Sequence, residues 1–263
     1  MSNRKARALI GACMISALCL TATAGAEVAQ KGNLRVSFQG QISPHALPRH
    51  GAAPISVTLG GEVTSTAKGK KPAQLKTIRV AINRNGQMDR TGLPTCRYED
   101  VQPSTTQNAM AACGDAKVGE GTFSADVLIP EQSPFPSKGE VTVFNGTEDG
   151  KPVLFAHVYG TAPIPISYTL PLRITEAKGT FGTVLSASLP EVTSEVAFVT
   201  GLSLTLERRF TYRGKSRSFL SAGCPAPKGF GGASFPLAKA SFGFVGGKVL
   251  SSTLTRSCSA VGG

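Results

Sequence analysis

The chain has 263 residues, of which 17% are charged and 41% are hydrophobic, and its formal net charge is +12. Its 30 Gly and 17 Pro, together with frequent Val, Thr and Ser, are typical of short strands joined by many turns. The absence of Trp argues against a tryptophan platform for sugar stacking. Beyond the N-terminal region, no segment is apolar enough to cross a membrane.

The first 26 residues have the three parts of a secretory signal peptide. A positive segment at 4–7 is followed by an uncharged, mostly apolar stretch at 8–20 and by the small-x-small cleavage pattern Ala24-Gly25-Ala26. We expect cleavage after Ala26, a mature chain of 27–263, and a secreted or extracytoplasmic location. Two alternatives stay open: lipidation at Cys13, and retention of the segment as an uncleaved anchor, although the apolar stretch is short for a membrane span.

Loss of the signal peptide would remove two of the six cysteines and three cations, which lowers the net charge from +12 to about +9. The cysteines that remain are Cys96, Cys113, Cys224 and Cys258. Their even number in an exported chain predicts disulfide bonds, and we favour Cys96–Cys113 and Cys224–Cys258 because each pair encloses a local, turn-rich segment. The alternative, a four-cysteine zinc site, needs close ligand pairs that this spacing lacks. No metal and no cofactor is therefore expected.

Alternation of apolar and polar residues predicts strands along most of the mature chain. The predicted strands are 34–42, 55–63, 75–82, 121–129, 140–145, 151–159, 166–175, 182–189, 196–211, 217–222, 234–245 and 247–257. Strand 151–159 is apolar on both faces, so we expect it to be covered on both sides and to lie at the centre of the domain. Segment 104–113 instead contains good helix formers after a proline and predicts one short helix, capped by Ser104 or Thr105.

These elements predict an all-β fold that is a sandwich or barrel-like and mostly antiparallel, with one short helix near 104–113. Residues 27–263 are expected to form a single β-rich domain. The Pro-rich segment 130–137 is a possible weak boundary within it.

The densest group of cations predicts a basic hairpin at 208–217. Arg208, Arg213, Lys215 and Arg217 are candidate binding residues for an acidic envelope polymer or for anionic lipid headgroups, because the hairpin would project several cations together. A solvated hairpin that protects a sheet edge is the competing interpretation. Specific nucleic-acid binding is not expected, since only two aromatic residues lie among these cations.

No catalytic motif stands out in this sequence. A nucleophile elbow, an H-E-x-x-H motif, a P-loop and a dinucleotide-binding glycine motif are all absent. His157 lies on an apolar strand and is expected to be a core histidine, while His45 and His50 match no metal motif. A glycosidase needs only two carboxylates, so this alternative stays open. The available carboxylates are Asp126, Glu140, Glu148, Asp149, Glu191 and Glu195.

Four segments carry a resemblance to a protein family. They are NRNGQMDRTGLPTC (83–96), FNGTEDGKPVLFAHVYGTAPIP (144–165), GTFGTVLSASLP (179–190) and GCPAPKGF (223–230). Together they resemble a group of uncharacterised secreted proteins of soil actinobacteria, to which no function is assigned. The resemblance implies an exported bacterial protein, and it carries over no site residues.

The sequence is therefore interpreted as a secreted, disulfide-bonded β-domain with a non-enzymatic structural or binding role at the cell envelope. Two alternatives stay open: a hydrolase acting on envelope polysaccharide, and a lipid carrier with an apolar cavity between its sheets. Two acids about 5–10 Å apart in a cleft would favour the hydrolase, and a deep apolar cavity would favour the carrier. The sequence predicts no oligomeric state.

Overall fold

The computed structural model of this protein describes residues 25–102, 105–128, 131–162, 165–189 and 197–262. The predicted signal peptide up to residue 24 lies outside these residues, as do Glu191 and Glu195. Strands dominate the described residues and the helices are short, so the all-β prediction is confirmed.

The described strands follow the predicted alternation closely. In the strand at Leu34–Ser43, Leu34, Val36 and Phe38 are buried while Arg35 is exposed. The strands are β1 (Glu27–Lys31), β2 (Leu34–Ser43), β3 (Ala46–Pro48), β4 (Ala53–Pro54), β5 (Ser56–Ser65), β6 (Leu75–Asn83), β7 (Gly86–Met88), β8 (Lys117–Val127), β9 (Phe135–Glu148), β10 (Lys151–Gly160), β11 (Ile166–Glu176), β12 (Phe181–Ser188), β13 (Ala197–Leu206), β14 (Arg209–Tyr212), β15 (Lys215–Ser218), β16 (Leu220–Ala222), β17 (Gly232–Phe244) and β18 (Val249–Val261). The helices are α1 (Tyr98–Val101) and α2 (Thr106–Cys113), followed by a 3₁₀ turn at Gly114–Ala116.

One large sheet contains most of the strands, in the order β1-β2-β5-β13-β8-β9-β10-β11-β12-β6-β17-β18-β3. Its described neighbours are antiparallel except for β3 and β18, which are parallel. Strands β4, β16 and β7 form a small second sheet, and β14 pairs with β15 as a separate hairpin. Residues 135–137, within the segment considered as a boundary, belong to β9 and pair with β8 in the large sheet.

The large sheet curls until its two edges lie side by side, and strands near those edges are consecutive in the chain. β2 pairs with β5 and ends at Ser43, while β3 begins at Ala46 and pairs with the far end of β18. Arg256 of β18 adds a link, since its Nε donates to the Gly40 carbonyl of β2 at 2.6 Å. The sheet is therefore barrel-like, with a single interior.

The outer face of the barrel is covered at one place by the two helices. Phe144 of β9 and Phe155 of β10 are fully buried there beneath α1, α2 and the disulfide that joins Cys96 to Cys113. Tyr98 of α1 meets Phe155 edge to face, with ring centroids 6.0 Å apart. The inner face of β10 is buried as well, so this strand is covered on both sides, as its sequence predicts.

The barrel has two different ends. The connections β1–β2, β5–β6, β8–β9, β10–β11, β12–β13 and β17–β18 lie at one end, which we call the short-loop end. The opposite end carries α1, α2, the hairpin β14–β15 and both disulfides, and we call it the disulfide end.

Two predicted elements differ from the structure in their boundaries. The predicted strand 196–211 divides into β13 and β14, because Glu207 donates its N–H to the Val118 carbonyl and the chain then leaves the sheet. The predicted helix 104–113 is observed as α2, with Thr105 as its N-cap accepting from the Asn108 N–H at 3.2 Å. The short α1 was not predicted, and its four residues are too few to produce a helical periodicity.

Disulfide bonds join Cys96 to Cys113 and Cys224 to Cys258, the pairing that the sequence favours. The two Cα atoms of each pair are 5.8 Å apart, within the usual range for a disulfide. The first bond ties α2 to the segment that precedes α1. The second ties the 224–231 loop to β18.

Replacing each disulfide separately is expected to lower the free energy of unfolding. The chain-entropy relation gives about 4 kcal/mol for the C224S/C258S variant and about 3 kcal/mol for C96S/C113S, which closes a shorter loop. Denaturant unfolding would measure both. Thiol labelling of the unreduced mature protein should find no free cysteine, and a peptide linking Cys96 to Cys224 or Cys258 would contradict the pairing.

Candidate ligand-binding site

The interior of the barrel contains an apolar cavity of about 120 Å³. Every described residue that lines it is Gly, Ala, Val, Leu, Ile or Phe. The lining comes from β2, β5, β6, β9, β10, β11, β12, β13 and β17, so the cavity belongs to the whole barrel rather than to one hairpin. The cavity lies inside one curled sheet. The lipid-carrier alternative in the sequence analysis instead expected a cavity between two sheets.

Side chains on the cavity wall are incompletely covered by protein. Phe38 and Phe242 are nearly buried and meet edge to face across the interior, with ring centroids 6.2 Å apart. In contrast, many aliphatic lining residues are only half-buried although they face inward. These include Leu59, Ile78, Val80, Val158, Leu172, Val199, Leu202 and Leu204. Covering apolar surface of this kind is worth about 25 cal/mol per Å², so the wall favours an apolar occupant.

The disulfide end of the interior is closed by protein. Phe219 and Leu220, from the chain that follows the hairpin, and Leu93, from the connection after β7, are buried in the same apolar core as the cavity wall. The N–H of Asp89 donates to the Phe219 carbonyl at 2.9 Å and holds these two connections together. A ligand would therefore meet a closed floor at this end.

The four predicted binding cations, Arg208, Arg213, Lys215 and Arg217, lie together at the disulfide end on the hairpin and the residue before it. They are not equivalent. Arg213 and Lys215 are exposed at the tip, whereas Arg217 is half-buried and forms an ion pair with Asp89 at 2.6 Å. Burial raises the pKa of Asp89, but hydrogen bonds from Thr91 and the hydrogen bond and charge of Arg217 together outweigh burial and lower it.

The ring of Tyr212 helps to hold the β14–β15 hairpin in its position on the barrel. The guanidinium carbon of Arg213 lies 5.2 Å and that of Arg217 5.7 Å from the centre of its ring. The same ring packs on Gly92, where a Cβ atom would lie 2.2 Å from Tyr Cδ2. The ion pair and this contact fasten the hairpin, so part of its charge stabilises the fold and only the tip is free to bind.

The candidate carboxylates are not brought together at the cavity. Asp126 of β8 pairs with Lys71, and Glu148 at the end of β9 pairs with Arg173 at 3.2 Å. Asp149 lies in the β9–β10 turn and Glu140 is exposed on β9. The remaining two, Glu191 and Glu195, lie outside the described residues. No acid is among the described residues that line the cavity, so the two-carboxylate geometry of a glycosidase has no support there.

His157 is fully buried on the outer face of β10, beneath the end of α1. Its Nδ1 lies 3.4 Å from the Thr169 hydroxyl, which in turn donates to the Val101 carbonyl at 3.2 Å. Its Nε2 is buried, and no described residue is placed to hydrogen-bond with it. Burial lowers the pKa of His157, and a hydrogen bond with the Val101 backbone partly opposes this effect. The side chain is fully buried, as expected of a core histidine, but it lies on the face of β10 that points away from the cavity.

A buried polar network near the first disulfide was not predicted. Arg90 donates to the Asn145 side-chain oxygen and to the Gly146 carbonyl, both at 2.5 Å, and the Asn145 amide donates to the Pro94 carbonyl at 2.8 Å. Burial lowers the pKa of Arg90. The network joins the loop before α1 to β9, and it occupies the side chain of an Asn that forms a glycosylation sequon in sequence.

Comparisons with known proteins found no match, since no protein-family model, no curated protein and no solved structure is similar to this chain. Among the described residues, no helix is both long enough and apolar enough to span a membrane. The functional conclusion therefore depends on the geometry of the cavity and of the surfaces around it.

The buried state of His157 predicts a pH-dependent stability. Its folded-state pKa lies below the ordinary value of 6.5, so as the pH falls from 7.5 to 5.5 the unfolded chain takes up a proton that the folded protein resists. The free energy of unfolding should decrease over this range, by up to about 1.4 kcal/mol per pH unit. Thermal or denaturant unfolding at several pH values would measure it.

Two variants separate this effect from other histidines. The H157Q variant should lose most of the slope, whereas H45Q/H50Q, which changes two exposed side chains, should keep it. An unaltered slope in H157Q would contradict the assignment.

Proposed function

We propose that this protein is a non-enzymatic extracytoplasmic binding protein that holds the apolar part of a lipid-like ligand inside its closed sheet. One observation carries the proposal: an apolar cavity runs into the barrel, and half-buried aliphatic side chains line it. A purely structural domain would fill its core, because voids cost stability. A polysaccharide hydrolase would place carboxylates in its cleft.

The size of the cavity indicates how much of a ligand enters. Apolar cavities of about 150 Å³ stay dry and take up a molecule such as benzene, and this cavity is of similar volume at about 120 Å³. It suits the end of an acyl chain or a small apolar ring. The rest of an amphiphile would remain outside the barrel, where a polar headgroup stays hydrated.

Export supports the same proposal. The signal-peptide pattern of 1–26 and the two disulfides suit a protein of the extracytoplasmic space or cell envelope, which is where lipids must be moved through water. The resemblance to secreted actinobacterial proteins agrees with this location.

Expression of the full-length precursor in a secreting bacterium tests the location. The mature protein should appear outside the cytoplasm with Glu27 as its first residue, because Ala24-Gly25-Ala26 precedes it. N-terminal sequencing would measure this. A mature chain beginning at Cys13, or one that keeps residue 1 in the membrane fraction, would contradict it.

The lack of Trp in the chain permits a direct test of the cavity. We expect the F242W variant, with its indole on the cavity wall, to be quenched saturably by a bromine-substituted fatty acid below its micelle concentration. The F230W variant is the matched control, because Phe230 is 65% exposed on the 224–231 loop at the disulfide end. Steady-state fluorescence titration would measure both.

The outcome is read from the difference between the two variants. Quenching of F242W alone supports binding inside the barrel. Equal quenching of both variants, or quenching of neither, would overturn the proposal. The V158W substitution narrows the cavity at a half-buried lining position. It should weaken the binding of an unlabelled fatty acid, which is measured by its displacement of a fluorescent fatty acid.

A further inference from the structure

Three connections meet at the short-loop end of the barrel and are joined by backbone hydrogen bonds. The N–H of Thr66, in the β5–β6 connection, donates to the Asn33 carbonyl of the β1–β2 turn at 2.8 Å. The N–H of Val245, in the β17–β18 turn, donates to the Gln74 carbonyl at the other end of the β5–β6 connection at 2.9 Å. These bonds join the three connections into one continuous surface. We call this surface, which carries Lys31, Lys68, Lys70 and Lys248, the lysine rim.

The lysine rim presents four exposed ammonium groups: Lys31, Lys68, Lys70 and Lys248. None of the four has a side-chain hydrogen bond or ion pair with a described residue. Lys71, in the same connection, is instead paired with Asp126. Glu131, in the β8–β9 connection, is an acid at this end, but the three joined connections contain no acid, so positive charge is concentrated on them.

The β17–β18 turn adds apolar side chains to this charge. Val245 and Val249 flank Lys248 and are 43% and 55% exposed. Between them Gly246 and Gly247 have φ of 80° and 73°, a backbone that favours glycine and forms a tight projecting turn. Exposed aliphatic side chains beside lysines are the pattern of a surface that enters the headgroup region of an anionic bilayer.

The lysine rim lies next to part of the cavity wall. Val63 and Leu75, at the two ends of the β5–β6 connection, line the cavity, and Phe242 lines it two residues before the β17 strand ends. The disulfide end is closed by Phe219, Leu220 and Leu93. The rim therefore borders the cavity wall at the end opposite these three residues.

We infer that the lysine rim docks the barrel on an anionic lipid bilayer, with the cavity directed toward the membrane. Lysines supply long-range attraction to the anionic headgroups, and Val245 and Val249 enter the interface. This inference deepens the proposed function, on which its role in ligand transfer rests, and it names the bilayer as the source from which the ligand is loaded.

Vesicle co-sedimentation of the mature protein tests the docking. Wild-type protein should bind vesicles of phosphatidylglycerol and phosphatidylcholine, and should bind pure phosphatidylcholine vesicles much more weakly. The K68E/K70E/K248E variant should lose at least roughly 100-fold in affinity, since each lysine near an anionic surface contributes about five-fold. V245S/V249S should bind more weakly than wild type, and its residual binding should be abolished by lower salt than wild-type binding requires.

The hairpin at the disulfide end provides a control of equal charge. R209E/R213E/K215E changes the same number of exposed cations from positive to negative, at the opposite end of the barrel. It should keep vesicle binding within a few-fold of wild type. Loss of binding in this variant with retention in K68E/K70E/K248E would overturn the inference, and so would equal loss in both, because net charge alone would then account for binding.

A soluble polyanion distinguishes a bilayer from an acidic polymer. If polyphosphate displaces the protein completely and V245S/V249S binds vesicles as wild type does, the rim recognises anions and not a membrane, and the inference is wrong. The F242W titration with soluble fatty acid separates the two proposals. If fatty acid quenches F242W but the protein does not bind vesicles, the docking inference is wrong and the proposed ligand binding is retained. If the protein binds vesicles but F242W is not quenched, the proposed ligand binding is wrong.

Discussion

Closure of the large sheet is the constraint on which the other features depend. The edges of a sheet carry unpaired N–H and C=O groups that invite association with other chains, and the short terminal strands β1 and β3 limit that exposure here. Here the chain itself joins the two sides, since only two residues separate β2, near one edge, from β3, at the other. Arg256 then reaches from β18 to the Gly40 carbonyl across the same seam. Closure produces an inside and an outside, and only then can one apolar face surround a cavity.

The number of strands determines what that interior can hold. In barrels of about eight strands the inward side chains fill the space, and wider barrels leave room for a ligand. The sheet has thirteen strands, although β1 and β3 are short, and its lining residues are mostly Val, Leu, Ile and Gly rather than aromatic. Strand β8 lies very close to its paired strand β13 at Gly121, where a Cβ atom would lie 1.9 Å from the Ser203 carbonyl oxygen. Small residues let the strands curve, and moderate aliphatic side chains leave the centre unfilled.

Local sequence patterns were enough to predict the strands. Which residues come together at the cavity and at the lysine rim depends instead on pairing between distant parts of the chain. The alternation in β2 and the two apolar faces of β10 could be read directly, because period-two patterns report which face is buried. The same patterns could not show that Phe38 faces Phe242, since more than 200 residues separate them. For this reason the sequence suggested a cavity between sheets, and the observed cavity lies inside one. The basic hairpin stood out because its cations are adjacent in the chain, whereas the lysine rim combines turns from 31, 68–70 and 248 and has no sequence signal.

Position, rather than density of charge, distinguishes the two basic surfaces. The hairpin has more cations per residue, yet Arg217 is engaged by Asp89 and by the ring of Tyr212, so much of its charge holds the hairpin against the barrel. The rim has fewer cations, but they are unpaired among the described residues and lie with the exposed Val245 and Val249 at the opposite end of the barrel. In the proposed function, a cavity that faced the membrane would let the apolar part of a ligand enter with little exposure to water. The proposed orientation follows the asymmetry of the barrel, which has disulfides and helices at one end and cationic turns at the other.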